Sequence, residues 1–298
     1  MDNLIIFTQF VLMDVASSQE LQVLQGVLFL LIYLGALTGN LVTVTLIVTD
    51  TCLHSPMYFF FISNLSVIDL GTISVIVPKA VVNSLTGRPT ISLKECGAQI
   101  FLYALCVAVE IAFLVVMSYD QYVAIYHPLH YGLIITPGLC SKATAGSWAS
   151  GQVYSAIHTG SLFRLPFTKM NVIQQYFCDV PQILRISSSD VQFSEFVLIA
   201  MFAFLVYFAF MFVSYINIFS KVLMIHSVKA CNKGISTYTT QLDIFLFFLI
   251  SGSVDLLGPI PKKPCLKNLL TAMFYSTVPP FMNPIIYCLH NREINAAL

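Results

Sequence analysis

A chain of 298 residues with 57% hydrophobic and only 9% charged side chains has too little polar surface to coat a water-soluble globule, so a bilayer must be its solvent. Its 14 Lys and Arg balance 14 Asp and Glu, and no nucleic-acid partner is expected of so neutral a chain.

A hydrocarbon core of about 30 Å takes roughly 20 apolar residues of helix to span. Seven windows meet that length with almost no charge: 21–48, 57–78, 96–117, 139–163, 193–223, 235–257 and 269–289. The fold class expected is therefore all-α, a seven-transmembrane helix bundle, with residues 1–20 as an amino-terminal segment and 290–298 as a short tail. Continuous apolar runs exclude a β-barrel, whose strands alternate over short segments. No charged segment with a small-residue cleavage site precedes Leu21, so no cleaved signal peptide is expected. The fourth window is the weakest. It is rich in Ser, Gly, Ala and Thr and carries Gln152 and His158, a composition suited to close packing through small residues.

Orientation is contested within the sequence. With the amino terminus outside, five Lys and Arg fall on the cytoplasmic side (Lys142, Lys221, Lys229, Lys233, Arg292) and nine outside, the reverse of the usual bias. Cysteine placement points the other way. Cys96 begins the third span and Cys178 lies in the long segment before the fifth; a bridge between them would pin that loop over the bundle and form only on the oxidising side.

Motifs then decide more than hydropathy. The first span holds Gly39-Asn40, followed by Pro56-Met57-Tyr58-Phe59-Phe60; the second holds Leu65-Ser66, Asp69-Leu70 and Pro78-Lys79. The third closes with Met117-Ser118-Tyr119-Asp120-Gln121-Tyr122, followed by His127-Pro128-Leu129-His130-Tyr131. The fifth has Ser214-Tyr215 and the seventh Pro280-Phe281-Met282-Asn283-Pro284-Ile285-Ile286-Tyr287. In this order, over nearly the whole chain, these strings resemble the olfactory receptors of the rhodopsin-like G-protein-coupled class. The resemblance implies an extracellular amino terminus and a plasma-membrane location. It also implies a small, mainly hydrophobic volatile odorant as ligand, and a heterotrimeric G protein of the olfactory stimulatory type, signalling through cAMP. Membrane lipid is the remaining partner, and no cofactor or metal is expected.

By the same resemblance, Tyr103, Val107 and Ala108 on the third span, Ile199, Ala203 and Phe204 on the fifth, and Leu256 and Pro259 on the sixth are the ligand-facing candidates. Ordinary helix packing is the plain alternative for each. Asp120, Gln121, Tyr122, Tyr215, Asn283, Pro284 and Tyr287 are the candidates for coupling and activation. Charges inside a bilayer need a partner or a purpose, costing roughly 2.5–3.5 kcal/mol each at a helix centre. Asn40, Asp69 and Glu110 form the expected buried polar cluster, the two acids either sharing a cation or proton or lying neutral among hydrogen-bonding neighbours.

Enzyme chemistry finds no support, since neither a G-x-S-x-G nucleophile turn nor an H-E-x-x-H zinc helix is present. No inverted repeat suggests a transporter.

Several positions depart from the family pattern. Gln121 stands where the family has Arg, losing the charge and forked geometry that pair with the preceding Asp and meet the G protein. The stretch from Lys233 to Leu242 has Gly234, Tyr238 and Gln241 for the family's Ala, Cys and His, and Asp243 and Asp255 add carboxyls to the sixth span. Thr168 and Ser188 replace the cysteines of a second loop disulfide, so Cys96–Cys178 should be the single bridge, with Cys265 a free thiol. The string from Phe59 to Asn64 is one residue longer than the family's, to be absorbed by a bulge or by a rotation of about 100°. Asn3-Leu4-Ile5 is not a glycosylation acceptor, so poor surface delivery is expected. These departures keep open a second reading, the same fold with little or no G-protein coupling.

Overall fold

The computed structural model describes residues 8–12, 18–55, 57–164, 171–186, 209, 212–213, 216, 250, 266–290 and 294. The expected fifth and sixth spans, apart from five isolated residues, lie outside the described residues.

Three of the long helices begin at a Ser or Thr whose side chain satisfies an orphan N–H group. Helix α1 (Gln19–Thr49) follows Ser18, whose Oγ accepts the Leu21 N–H at 3.4 Å. Helix α2 (Ser63–Thr86) continues a π-helical turn over Met57–Ile62 and stops at Gly87, whose φ of 61° is the left-handed geometry that only glycine adopts without strain. Helix α3 (Leu93–Tyr126) starts with a capping box: Ser92 Oγ accepts the Glu95 N–H at 3.2 Å, and Glu95 Oε2 accepts the Ser92 N–H at 2.9 Å. A 3₁₀ turn at Pro128–His130 and the single-turn α4 (Tyr131–Ile134) lead to α5 (Pro137–Leu162), capped by Thr136 with Pro137 in its first turn. Helix α6 (Val180–Ile186) follows in the long loop. The seventh span is two helices, α7 (Leu266–Ser276) and α8 (Val278–His290).

Among the described residues, three helical stretches are long and apolar enough to cross a membrane: Gln19–Thr49, Tyr58–Thr86 and Leu93–Tyr126. The helices outrun the apolar windows, α2 passing through Pro78 to Thr86 and α3 passing Met117 to Tyr126. Helix α1 packs on α2, α2 on α3, and α3 on α5, while α8 closes against α1 and α2. Gly151 and Ser155 of α5 face α3. A Cβ on Gly151 would collide with Val109 and sit 3.3 Å from Leu105 Cδ1, and the Ser155 hydroxyl donates to the Phe101 carbonyl. Close backbone approach of this kind is how membrane helices associate without a hydrophobic driving force.

A π-helical turn at Met57–Ile62 is the kind of bulge that would absorb the extra residue expected at Phe59–Asn64. Ser63 Oγ and Asn64 Nδ2 donate to the carbonyls of Phe59 and Phe60. Past that turn the register is intact: Asn64 Oδ1 accepts from Trp148 Nε1 at 3.0 Å, and Asp69 faces the seventh span.

A small sheet is the addition to an otherwise helical fold, its strands too short to show alternation in the sequence. Strand β1 (Gln9–Leu12) lies in the middle, antiparallel to β2 (Thr90–Ser92) and parallel to β3 (Val172–Ile173). Phe10, Leu12, Ile91 and Ile173 are buried with the Cys96–Cys178 disulfide, whose Cα atoms are 5.5 Å apart.

Candidate functional site

Two groups of candidates come together in the bundle. The first lies midway along it. Pro284 has no N–H, so the carbonyl of Pro280 one turn earlier loses its helical donor. Asn40 Nδ2 supplies it at 2.8 Å, while also donating to the Ala36 carbonyl at 3.0 Å. One turn along α8, Asn283 Nδ2 donates to both carboxyl oxygens of Asp69, at 3.1 and 3.0 Å. Gly39 makes this possible, since a Cβ there would lie 3.1 Å from Pro284 Cβ. Glu110 is half-buried and close enough for its charge to act on Asp69. Asn40, Asp69, Asn283 and Tyr287 are all buried, and the Tyr287 hydroxyl has no hydrogen-bond partner among the described residues. Thus α1, α2 and α8 are joined through side chains at the helix whose hydrogen-bond ladder Pro284 interrupts.

The second group is at the end away from the disulfide. Asp120 and Gln121 are buried, and Tyr122 stacks on Tyr126 with ring centroids 4.5 Å apart. Tyr131 Oη donates to Asp120 Oδ1 at 2.8 Å. Burial, with the bond to Asp120, raises the Tyr131 hydroxyl above its ordinary range, which keeps it a donor. Tyr131 is visible in the sequence only as the end of a motif; its meeting with Asp120 depends on the turn at Pro128–His130 folding back against α3. Leu129 in this turn and Leu133 in α4 are 92% and 78% exposed.

At the disulfide end, Tyr103 is half-buried and its ring meets Phe177 edge to face at 6.0 Å. Val107 and Ala108, one turn further on, are also half-buried. Ile199, Ala203, Phe204, Tyr215, Leu256 and Pro259 lie outside the described residues, so nothing places them beside α3.

The same end holds a polar network that the sequence did not signal. Gln99 Nε2 donates to the Val75 carbonyl at 3.0 Å, and Gln99 Oε1 accepts the Cys178 N–H at 2.8 Å. Tyr275 Oη lies 2.9 Å from Gln175 Oε1 and 2.8 Å from Asp179 Oδ2. Tyr176 Oη lies 2.6 Å from Ser276 Oγ and 3.0 Å from Thr277 Oγ1. Burial pushes the Tyr176 hydroxyl up to about 12, so it stays protonated at neutral pH. The only hint in the sequence is Gln99, one helical turn after Cys96 on the same face.

Among the described residues no cluster of three metal-ligating side chains occurs. Tyr131 on Asp120 and Asn283 on Asp69 hold buried carboxyls by neutral donors, an arrangement that suits a conformational switch.

A family model described as "Olfactory receptor" matches residues 29–298. Over 300 residues the chain is 46% identical to human olfactory receptor 14I1, covering all of this chain and 96% of that protein. It is 42% identical to human olfactory receptor 14C36, again over all of this chain and 96% of the relative, and 36% identical to human olfactory receptor 5B2 over the same shares.

Proposed function

Because the chain belongs to the olfactory receptor family, a seven-transmembrane and non-enzymatic G-protein-coupled class, we propose that it is an odorant receptor whose ligand shifts a population of inactive and active bundles. The ligand class is a small, mainly hydrophobic volatile compound held against Tyr103, Val107 and Ala108, with Ile199, Ala203, Phe204, Leu256 and Pro259 opposite. The disulfide end faces outward, because only there is the environment oxidising. The amino terminus is accordingly extracellular and the site of action is the plasma membrane. The end carrying Asp120, Gln121, Tyr122 and the exposed Leu129 meets a heterotrimeric G protein of the olfactory stimulatory type.

The observation that carries the reading is the double hydrogen bond from Asn283 to Asp69. It ties the proline-broken seventh span to the second in one defined arrangement, which a ligand nearer the disulfide can stabilise or release. Nothing among the described residues favours the non-coupling alternative. Tyr131 holds Asp120 in place where the family's Arg is absent.

The test is cAMP signalling against an odorant panel in cells supplied with receptor-transport chaperones, with surface protein quantified for the native chain and for Gln121→Arg. Responses from both at matched surface levels support the receptor reading. Responses from the Arg chain alone show an intact ligand site with lost coupling. Silence from both at good surface levels counts against the proposal.

A further inference from the structure

The described contacts at the disulfide end run in one direction. The long loop is fixed to the bundle at Cys178 twice, by its disulfide to Cys96 and by its N–H on Gln99, which itself holds the Val75 carbonyl of α2. Two residues earlier, Tyr176 reaches the seventh span where α7 ends and α8 has not begun. That point is weak for a covalent reason: Pro279 and Pro280 lack the N–H groups that would close the turn onto the carbonyls of Tyr275 and Ser276.

Proton bookkeeping gives the contact a direction. Ser276 donates its hydroxyl to the Ala272 carbonyl at 2.7 Å, so at Tyr176 it accepts. Tyr176 therefore donates to Ser276 and is left with lone pairs for the Thr277 hydroxyl. The ring is held as well, 4.9 Å from Phe29 and 5.0 Å from Phe177, and Phe177 in turn meets Tyr103 and Tyr275. All of these side chains but Tyr103 are buried. Below the break, α8 carries Pro280, held by Asn40, and Asn283, held on Asp69.

We infer that the Tyr176 hydroxyl is a latch between the disulfide-pinned loop and the break in the seventh span, so that the loop sets where Pro280 and Asn283 stand. Tyr176 is a positioning residue, acting on Asp69 only through α8. In its final step the inference rests on the ligand reading above: a molecule lodged against Tyr103 displaces Phe177, and with it Tyr176.

The test uses the full chain in phosphatidylcholine nanodiscs and hydrogen–deuterium exchange by mass spectrometry, comparing the native protein with Tyr176→Phe, Thr277→Val and the pair. Tyr176→Phe keeps the ring and its packing but removes both hydrogen bonds, whereas the near-isosteric Thr277→Val removes only the one to Thr277 and leaves Ser276 in place. Exchange over residues 277–287 should rise roughly threefold or more in Tyr176→Phe, by less in Thr277→Val, and in the pair no further than in Tyr176→Phe, while residues 97–117 of α3 stay unchanged. Unchanged exchange over 277–287, an equal rise in α3, or a summed effect in the pair would each overturn the latch. Neither odorant nor G protein enters this measurement, so a receptor silent in the cAMP assay leaves it readable.

Discussion

Tyr131 holds Asp120 through a single hydrogen bond of 2.8 Å across the turn that follows α3. In the family pattern the neighbouring Arg shares that task, and here Gln121 takes its place. The carboxyl is buried, so losing its donor is costlier than the net worth of one hydrogen bond. Tyr131→Phe should lower stability by about 1–3 kcal/mol, read as an earlier thermal transition in detergent micelles. Gln121→Arg in the same background should recover most of it, and a double variant no more stable than Tyr131→Phe alone would sink this account.

Asn40 does the work of a missing backbone amide. Asn40→Ala leaves the Pro280 carbonyl without that donor inside the bundle and should destabilise by about 1–3 kcal/mol. Restoring an N–H by Pro284→Ala should make the protein less sensitive to that loss. If the two changes simply add, the carbonyl is satisfied in some other way.

Gly151 leaves no room for a side chain between α5 and α3. Gly151→Ala forces a methyl onto Val109 and should cost about 1–3 kcal/mol, which Val109→Ala should largely relieve. Gly160 has nothing within 4 Å of its would-be Cβ, and Gly160→Ala should stay within about 0.5 kcal/mol of the native chain. Equal losses at the two glycines would mean that contact with Val109 does not set the cost, since helix propensity favours Ala over Gly at both positions.

The π-turn makes a deletion informative. Removing one of the three phenylalanines Phe59–Phe61 should turn Met57–Ile62 into ordinary α-helix with Asn64 still on Trp148 and Asp69 still on Asn283. Deleting lipid-exposed Val67 removes less buried surface, yet rotates Asn64 against Asp69 by about 100°. Folded yield in micelles should therefore survive the first deletion and collapse with the second; the reverse order would show that the π-turn is not where the extra residue is absorbed.

Leu129 is the most exposed large apolar side chain among the described residues and stands beside the Asp120 end. Leu129→Asp should reduce odorant-stimulated cAMP at least severalfold at unchanged surface level, since a charge there opposes burial against a partner protein. Undiminished signalling would remove this turn from the proposed G-protein contact.

The sequence made some of this architecture legible and left the rest hidden, for physical reasons. Span length and the Asn283-Pro284 string announced α1 to α3 and the seventh span, because bilayer thickness and proline chemistry are local constraints. The surplus residue near Phe60 was countable, but only three-dimensional contacts distinguish a π-turn from a rotated helix. Tyr176 and Tyr275 gave no signal at all. Their partners are about 100 residues away in sequence, and a buried tyrosine looks like any core aromatic until its hydroxyl is seen to have an acceptor. Asp120 was identified by motif, whereas its partner Tyr131 required the fold of the intervening turn.

The central strand of the small sheet has a consequence in time. Leu12 pairs with Ile173, and at synthesis rates of roughly 5–20 residues per second the ribosome reaches Ile173 on the order of ten seconds or more after Leu12. During that interval the first strand made has at most one of its two neighbours, and the outward end of the bundle stays unsealed. The strand at Gln9–Leu12 is thus made early and completed late, so a bulky fusion close to Gln9 acts on assembly itself rather than on a finished surface.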